Sequence, residues 1–259
     1  MGTWAENPKY PRQTGTIRRM AAKNPITLVE VIRRTQIERK GRSAMRQIIT
    51  VATMKGGSGK STIASCLAVH WHLTGRAPTI IDADPQRSIA RLAARERALG
   101  GVPVVEDATA DAWKTAQNLA AAGRPIIIDT PGFRSQATLA CIAAADFLLV
   151  PVKASPLDVD RMLDTLNSLI DGAGSRRPTF RCVLTQTTRD SVISKHIRAE
   201  LIEAGFPVLN SEMTNRVAYA EAGLWGATPS LINWNGLAAR EIAAIASEVD
   251  GIAGIKQAA

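Results

Sequence analysis

The sequence predicts an α/β fold, a doubly wound and mostly parallel sheet with helices on both faces. From residue 47 onward, short apolar runs typical of strands alternate with longer helical patterns without a break. Residues 125–129 are apolar up to a terminal Asp, as in a parallel strand buried on both faces. A glycine-rich link at 56–59 joins the first strand to the first helix and predicts a tight turn there.

The periodicity assigns the elements in chain order. The predicted strands span residues 47–53, 79–82, 102–105, 125–129, 146–152, 179–185 and 206–209, with 102–105 at an edge. The predicted helices span residues 60–74, 87–99, 110–122, 134–144, 157–171, 191–204, 216–223 and 235–250. In the first helix Ile63, Leu67 and Trp71 recur at intervals of four, which predicts one buried stripe.

The loop between the first strand and the first helix has the composition of a phosphate-binding loop. Its glycines allow a tight turn that aims backbone N–H groups inward, and the following helix adds the positive end of its dipole. Lys60 can reach the β- and γ-phosphates, and Ser61 can place a hydroxyl on Mg²⁺. Met54 stands where the usual pattern has Gly, and Lys55 is a second lysine available for phosphate charge. The predicted nucleotide contacts are Lys55, Gly56, Gly57, Ser58, Gly59, Lys60, Ser61 and Thr62.

Three acidic side chains follow apolar runs. Asp82 and Asp84 come at alternate positions after one predicted strand, so both can leave its end on the same side. Asp129 ends the Ile126–Ile128 run. Ligands of open α/β sheets bind at the carboxyl ends of the strands, which predicts that these carboxylates lie near the phosphate-binding loop.

These motifs resemble the deviant phosphate-loop ATPases of the ParA/MinD family, over roughly residues 47–250. The pattern Lys-Gly-Gly-x-Gly-Lys-Ser/Thr is the signature of that family, and Asp82-Ala83-Asp84-Pro85-Gln86 is typical of its ParA branch. The resemblance implies that Asp84 orients the attacking water. It also implies that Asp82 helps to hold the metal shell, that Asp129 binds a Mg²⁺ water and that residues 130–132 form a switch loop. Gly132 departs from the more frequent second Pro.

The same resemblance implies a function. The expected protein is an ATPase whose Mg²⁺-ATP form closes as a homodimer, with Lys55 reaching across. The closed dimer would bind DNA non-specifically and partition plasmid, chromosome or protein cargo with a ParB-like or other adaptor, in the cytoplasm on the nucleoid. Segments 155–158 and 214–222 resemble the family more weakly. The candidate DNA contacts are Arg189, Lys195, Arg198 and Arg216, whose alternative interpretation is ordinary solvated helix charge.

The net charge of +9 is unevenly distributed. Residues 1–46 hold eleven Lys/Arg and three Glu, a net +8, which leaves +1 for residues 47–259. We therefore expect two parts: a basic, partly disordered extension over 1–46 and an ATPase domain over 47–259. Residues 25–40 can form an amphipathic basic helix that binds DNA or caps the dimer; alternatively, translation starts at Met45.

Composition argues against several other classes of protein. No apolar run reaches the roughly 18 residues of a membrane span, and residues 241–259 contain Lys256 as their one basic residue, unlike the membrane-binding helix of MinD proteins. Cys66, Cys141 and Cys182 are isolated and predict core thiols. The alternatives left open are a cobyrinate-amidase-like or dethiobiotin-synthase-like ligase, an iron–sulfur reductase of the nitrogenase type, and a nucleotide-switched scaffold without turnover.

Overall fold

The computed structural model describes residues 47–53, 56–132, 135–155, 167–168 and 178–253. Its strands are β1 (Gln47–Val51), β2 (Thr79–Asp82), β3 (Val104–Glu106), β4 (Pro125–Asp129), β5 (Phe147–Lys153), β6 (Thr179–Thr187) and β7 (Met213–Thr214). They form a seven-stranded parallel sheet in the order β3-β2-β4-β1-β5-β6-β7. The α-helices are α1 (Lys60–Leu73), α2 (Ser88–Ala93), α3 (Ala112–Ala121), α4 (Gln136–Ala144), α5 (Val192–Glu203), α6 (Val217–Leu224), α7 (Pro229–Ile232) and α8 (Leu237–Ala253).

Apolar side chains cover both faces of the sheet, which confirms the predicted fold class. In β4, Ile127 packs into the core beneath α1 and α8, whereas Ile126 and Ile128 pack with α3 on the opposite face. This alternation follows from the two-residue period of a strand. The predicted stripe of the first helix is also buried, with Ile63, Leu67 and Trp71 at most 1% exposed. Among the described helices, none is long and apolar enough for a membrane span.

Two predicted elements are wrong in their bounds. The predicted strand 206–209 forms only an isolated bridge through Val208, and the last strand lies further on, at Met213–Thr214. The predicted helix 87–99 ends at Ala93. Leu99 then adopts a φ of 50°, because its side chain is fully buried and its N–H donates to the carbonyl of Gly226. The predicted helix 157–171 lies almost wholly outside the described residues.

A buried ion pair joins the turn after α1 to the end of α8. Arg76 donates to both carboxylate oxygens of Asp250, at 2.7 and 2.5 Å, and its guanidinium lies 5.4 Å from the ring centroid of Trp71. Each of the two charged side chains is only 11% exposed. The pair holds α8 against α1, the helix that carries the phosphate-binding loop.

We predict that Arg76→Met lowers the free energy of unfolding by about 3 kcal/mol, because it leaves the Asp250 carboxylate buried and unpaired. Lys114→Met is the matched control, since Lys114 pairs with Asp111 at 2.9 Å while both side chains are more than half exposed. The control should change stability by less than about 1 kcal/mol. Urea denaturation measures both changes in the free energy of unfolding. Equal effects of the two substitutions would contradict the conclusion that the buried Arg76–Asp250 pair stabilises the fold.

Candidate nucleotide-binding site

The P-loop, residues 55–62, starts the site at the carboxyl end of β1. Gly59 occupies the N-cap of α1 with a φ of 87°, a conformation that glycine adopts without a steric penalty. The N–H of Ile63 donates to the carbonyl of Gly59 at 2.9 Å. Helix geometry leaves the amides of residues 60–62, ahead of Ile63, without helical acceptors, so they are available to an anion.

The middle of the P-loop lies against β6 and β7. Thr185 donates its hydroxyl to the carbonyl of Ser58 at 2.8 Å, and Gln186 donates its side-chain amide to the carbonyl of Gly57 at 2.6 Å. A Cβ on Gly59 would stand 3.3 Å from the terminal methyl group of Met213. Sequence reasoning missed these neighbours, because they belong to no motif and become adjacent only through the strand order.

Asp129 is the buried acid of the site. It lies at the end of β4, level with Val51 of β1 and Asp82 of β2 in the register of the sheet. Its side chain is fully buried, and neither carboxylate oxygen has a hydrogen-bond partner of regular geometry. Burial raises the pKa of Asp129 to about 7, against the lowering effects of the Ser61 hydroxyl and the Lys60 charge.

An unsatisfied carboxylate beside a serine hydroxyl fits Mg²⁺, a cation that prefers oxygen ligands. The described residues contain no group of three or more His, Cys, Asp or Glu that could hold a metal ion by themselves. A Mg²⁺ ion here would therefore complete its coordination with water and nucleotide phosphates, as this cation commonly does. Ser61 and Asp129 are the residues that would hold it, as the sequence predicts.

Asp82 faces a different group of donors. Its carboxylate accepts from the backbone N–H groups of Ile89 and Ala90 at 3.0 and 2.9 Å, and from that of Asp84 at 3.3 Å. Burial raises the pKa of Asp82, and the backbone donors oppose that effect. The visible role of Asp82 is thus to hold the start of α2. Its part in the metal shell stays a prediction.

Asp84 and the segment after β4 border the P-loop. Asp84 is 9% exposed and accepts from the N–H of Gln86 at 2.9 Å. Its charge is close enough to Asp129 to raise the pKa of that group. Gly132 approaches the loop directly, since a Cβ there would stand 3.2 Å from Nζ of Lys60 and 3.5 Å from Cα of Gly56. The last residue of the predicted switch segment 130–132 therefore lies against Lys60.

Of the four candidate DNA contacts, two are exposed side chains and two are bound to other groups within the protein. Arg189 is 90% exposed beside Asp190, and Lys195 is exposed on α5. Arg198 donates to the carbonyls of Leu209 and Asn210 and pairs with Glu212 at 3.5 Å.

Glu241 engages Arg216 at 2.7 Å. The same carboxylate also accepts from the hydroxyls of Thr214 and Tyr219. Arg189 and Lys195 are thus the exposed cations among the four candidates, and Arg189 has an exposed partner in Asp190 at 3.6 Å. Lys55, the extension 1–46 and residues 156–158 of the weaker segment 155–158 lie outside the described residues.

Comparison with known proteins identifies the family. A family model described as VirC1 protein matches residues 45–228. The chain belongs to the VirC1 protein family. It is 30% identical to maintenance of carboxysome distribution protein A of Halothiobacillus neapolitanus over 211 residues, which cover 78% of this chain and 95% of that protein. It is 28% identical to protein ParA of Rhizobium radiobacter, over 67% of this chain and 80% of that protein.

Solved structures share the fold. The ATP complex of a McdA variant from Cyanothece superposes with a TM-score of 0.62 at 20% identity, covering 84% of this chain and 100% of that one. A cobyrinic acid a,c-diamide synthase from Mycobacterium smegmatis reaches 0.55 at 19% identity, over 69% and 92% of the two chains. The curated relatives confirm the predicted resemblance to the ParA/MinD family, and the solved structures confirm the predicted fold.

We predict that Asp129→Asn stabilises the nucleotide-free protein at pH 8 by about 2–4 kcal/mol. A carboxyl whose pKa rises from 3.8 in the unfolded chain to about 7 in the folded one is charged and buried at pH 8, which opposes folding. The advantage of the Asn variant should shrink as pH falls from 7 and be small at pH 4, where the native acid is protonated in the folded state and close to half protonated in the unfolded chain.

Thermal or urea denaturation from pH 4 to pH 8 measures this difference. Asp107→Asn is the control, because Asp107 pairs with the hydroxyls of Thr109 and Thr115 outside the site. An Asp129→Asn difference that stays constant across the pH range would contradict a buried, titrating carboxyl.

Proposed function

We propose that the protein is a Mg²⁺-dependent ATPase that closes as an ATP-bound dimer on DNA and positions a cargo with an adaptor protein. The observation that carries the proposal is the buried Asp129 carboxylate beside Ser61 and Lys60 at the start of α1. A P-loop lysine, a serine hydroxyl and an acid on a neighbouring strand are the groups that Mg²⁺ and a nucleoside triphosphate require. The names of the curated relatives, which refer to ParA and to carboxysome distribution, support a role in positioning.

The chemistry assigned to the chain's own residues is positioning and charge neutralisation. Lys60 and the amides at the start of α1 neutralise phosphate charge, and bound Mg²⁺ supplies further positive charge at the transferring group. Asp84 holds the attacking water, since it lies on the same edge and within electrostatic reach of Asp129. Phosphoryl transfer needs little more than this from a protein.

Dimer closure has support at the same edge of the sheet. Val192 and Val217 are 80% and 70% exposed, and they begin the helices that follow the neighbouring strands β6 and β7. Exposed aliphatic side chains near the P-loop fit a surface that a second subunit covers. Lys55 is proposed to reach the phosphates of that subunit, and hydrolysis would then open the dimer and release DNA.

ATP hydrolysis with and without duplex DNA tests the proposal against its alternatives. We expect slow, Mg²⁺-dependent turnover that DNA stimulates, and Lys60→Ala should abolish nucleotide binding. A ligase of the cobyrinate-amidase type would ignore DNA and require a small carboxylate substrate. Tight nucleotide binding without any turnover would favour a nucleotide-switched scaffold.

Asp84→Ala should keep ATP affinity within about threefold and lower kcat at least tenfold, because water positioning acts on the transition state more than on ground-state binding. Equilibrium titration and steady-state hydrolysis separate the two quantities. Asp111→Ala, at an exposed aspartate, is the control. If the Asp84 variant hydrolysed ATP at the parental rate, another acid would have to hold the attacking water, and Asp82 would be the first to test.

Charge reversal on α5 and in the turn before it should weaken ATP-dependent DNA binding. Lys195→Glu and Arg189→Glu each remove an exposed cation and add an anion, so DNA retention should fall and its salt dependence should flatten. Lys114→Glu, an equal charge change on α3, should have a smaller effect. Measurement in a protein starting at Met45 removes +7 of the +8 of the extension, since Arg46 remains. Loss of all ATP-dependent binding on that truncation, with ATPase activity intact, would place the DNA site in the extension instead.

A further inference from the structure

Two consecutive carbonyls of the P-loop are held by side chains from the end of β6. The hydroxyl of Thr185 donates to Ser58 O at 2.8 Å, and the amide of Gln186 donates to Gly57 O at 2.6 Å. Thr185 is fully buried, so its hydroxyl needs a partner inside the protein and finds it in the loop. The loop is thus tied to a strand more than 120 residues away in sequence.

Because the peptide bond is planar, these two contacts also fix the direction in which the loop amides point. In a planar trans peptide the C=O and the N–H of the next residue point to opposite sides. A Gly57 carbonyl held towards Gln186 therefore directs the N–H of Ser58 away from β6. A Ser58 carbonyl held towards Thr185 does the same to the N–H of Gly59. Two successive amides are fixed facing away from the strand that holds the loop.

The backbone of Gln186 has an unusual conformation at its contact with Gly57. Its φ is 52°, in the left-handed region that a residue with a side chain seldom occupies. It also stands between Thr185 and Thr187, where the pairing of β6 with β7 shifts its register. Bulges of this kind redirect a side chain, and such strain persists where the surrounding structure enforces it. Here the redirected side chain reaches the carbonyl of Gly57.

We propose that Thr185 and Gln186 are positioning residues for nucleotide binding, which hold the P-loop so that the amides of Ser58 and Gly59 face the phosphates. The inference rests on the proposed nucleotide-binding function. It adds two residues to the site that the loop motif does not contain. Amides fixed before the ligand arrives need no reorganisation when it binds, which is the advantage of a preorganised anion site.

The test compares substitutions that remove the donor with substitutions that keep it. Thr185→Val preserves shape without the hydroxyl, and Thr185→Ser restores the hydroxyl. Gln186→Met preserves length without the amide, and Gln186→Gly removes the side chain while relieving the positive φ. We expect Thr185→Val, Gln186→Met and Gln186→Gly to weaken Mg²⁺-ADP binding about three- to tenfold, the range for one lost hydrogen bond. Thr185→Ser should stay within about twofold.

Steady-state kinetics separates positioning from a general loss of structure. Weaker ground-state binding raises KM for ATP with little change in kcat, after correction for the folded fraction from the unfolding curve. The positioning inference would be wrong if Thr185→Val and Gln186→Met both bound ADP with wild-type affinity while Lys60→Ala did not bind it. The assignment of the nucleotide site would then still hold. Wild-type affinity in Gln186→Gly alone would remove Gln186 from the proposal. Failure of the unsubstituted protein to bind nucleotide would instead overturn the proposed function.

Discussion

The parallel register of the sheet is the constraint on which the site depends. It sets the last residues of three neighbouring strands, Val51, Asp129 and Asp82, at one level, so one edge collects the P-loop and both carboxylates. Asp82 satisfies its charge with backbone donors at the start of α2. Asp129 is left buried without regular partners, an arrangement that opposes folding when the acid is charged. The unfavourable environment of this acid and the proposed affinity of the site for Mg²⁺ would thus have the same origin.

The other half of the site depends on β6 rather than on the motif strand. Thr185 and Gln186 hold the P-loop, and the next residue, Thr187, accepts from the N–H of Asn215 through its carbonyl. Asn215 in turn precedes the Arg216–Glu241 pair at the start of α6. Hydrogen bonds and peptide bonds therefore connect the P-loop with the start of α6, the helix that carries Val217. A continuous path does not by itself show that two sites are energetically coupled. Variants at Thr185 would measure the coupling between the P-loop and the start of α6.

Local patterns account for what the sequence predicted correctly. The strands at 79–82 and 125–129 and the turn into α1 are encoded by neighbouring residues, through apolar runs and glycine. Contacts between distant residues account for what it missed. The buried side chain of Leu99 and its bond to Gly226 end the second predicted helix early, and Gln186 reaches the P-loop only because β6 lies near it. Sequence patterns relate residues that are near one another in the chain, so they do not predict either of these long-range contacts.

Glu241 shows how such contacts change a functional assignment. Its carboxylate accepts from Thr214, Arg216 and Tyr219, so the charge of Arg216 is balanced at 2.7 Å inside the fold. Residues 47–259 have a net charge of only +1, and this pair removes one of the cations that a basic patch would need. Among the four candidate DNA contacts the cations that remain exposed are Arg189 and Lys195, and the proposed attraction of DNA to the folded domain would use them together with their counterparts in a second subunit. The proposed dimer closure would double that number, which would give a physical reason for DNA affinity to depend on ATP.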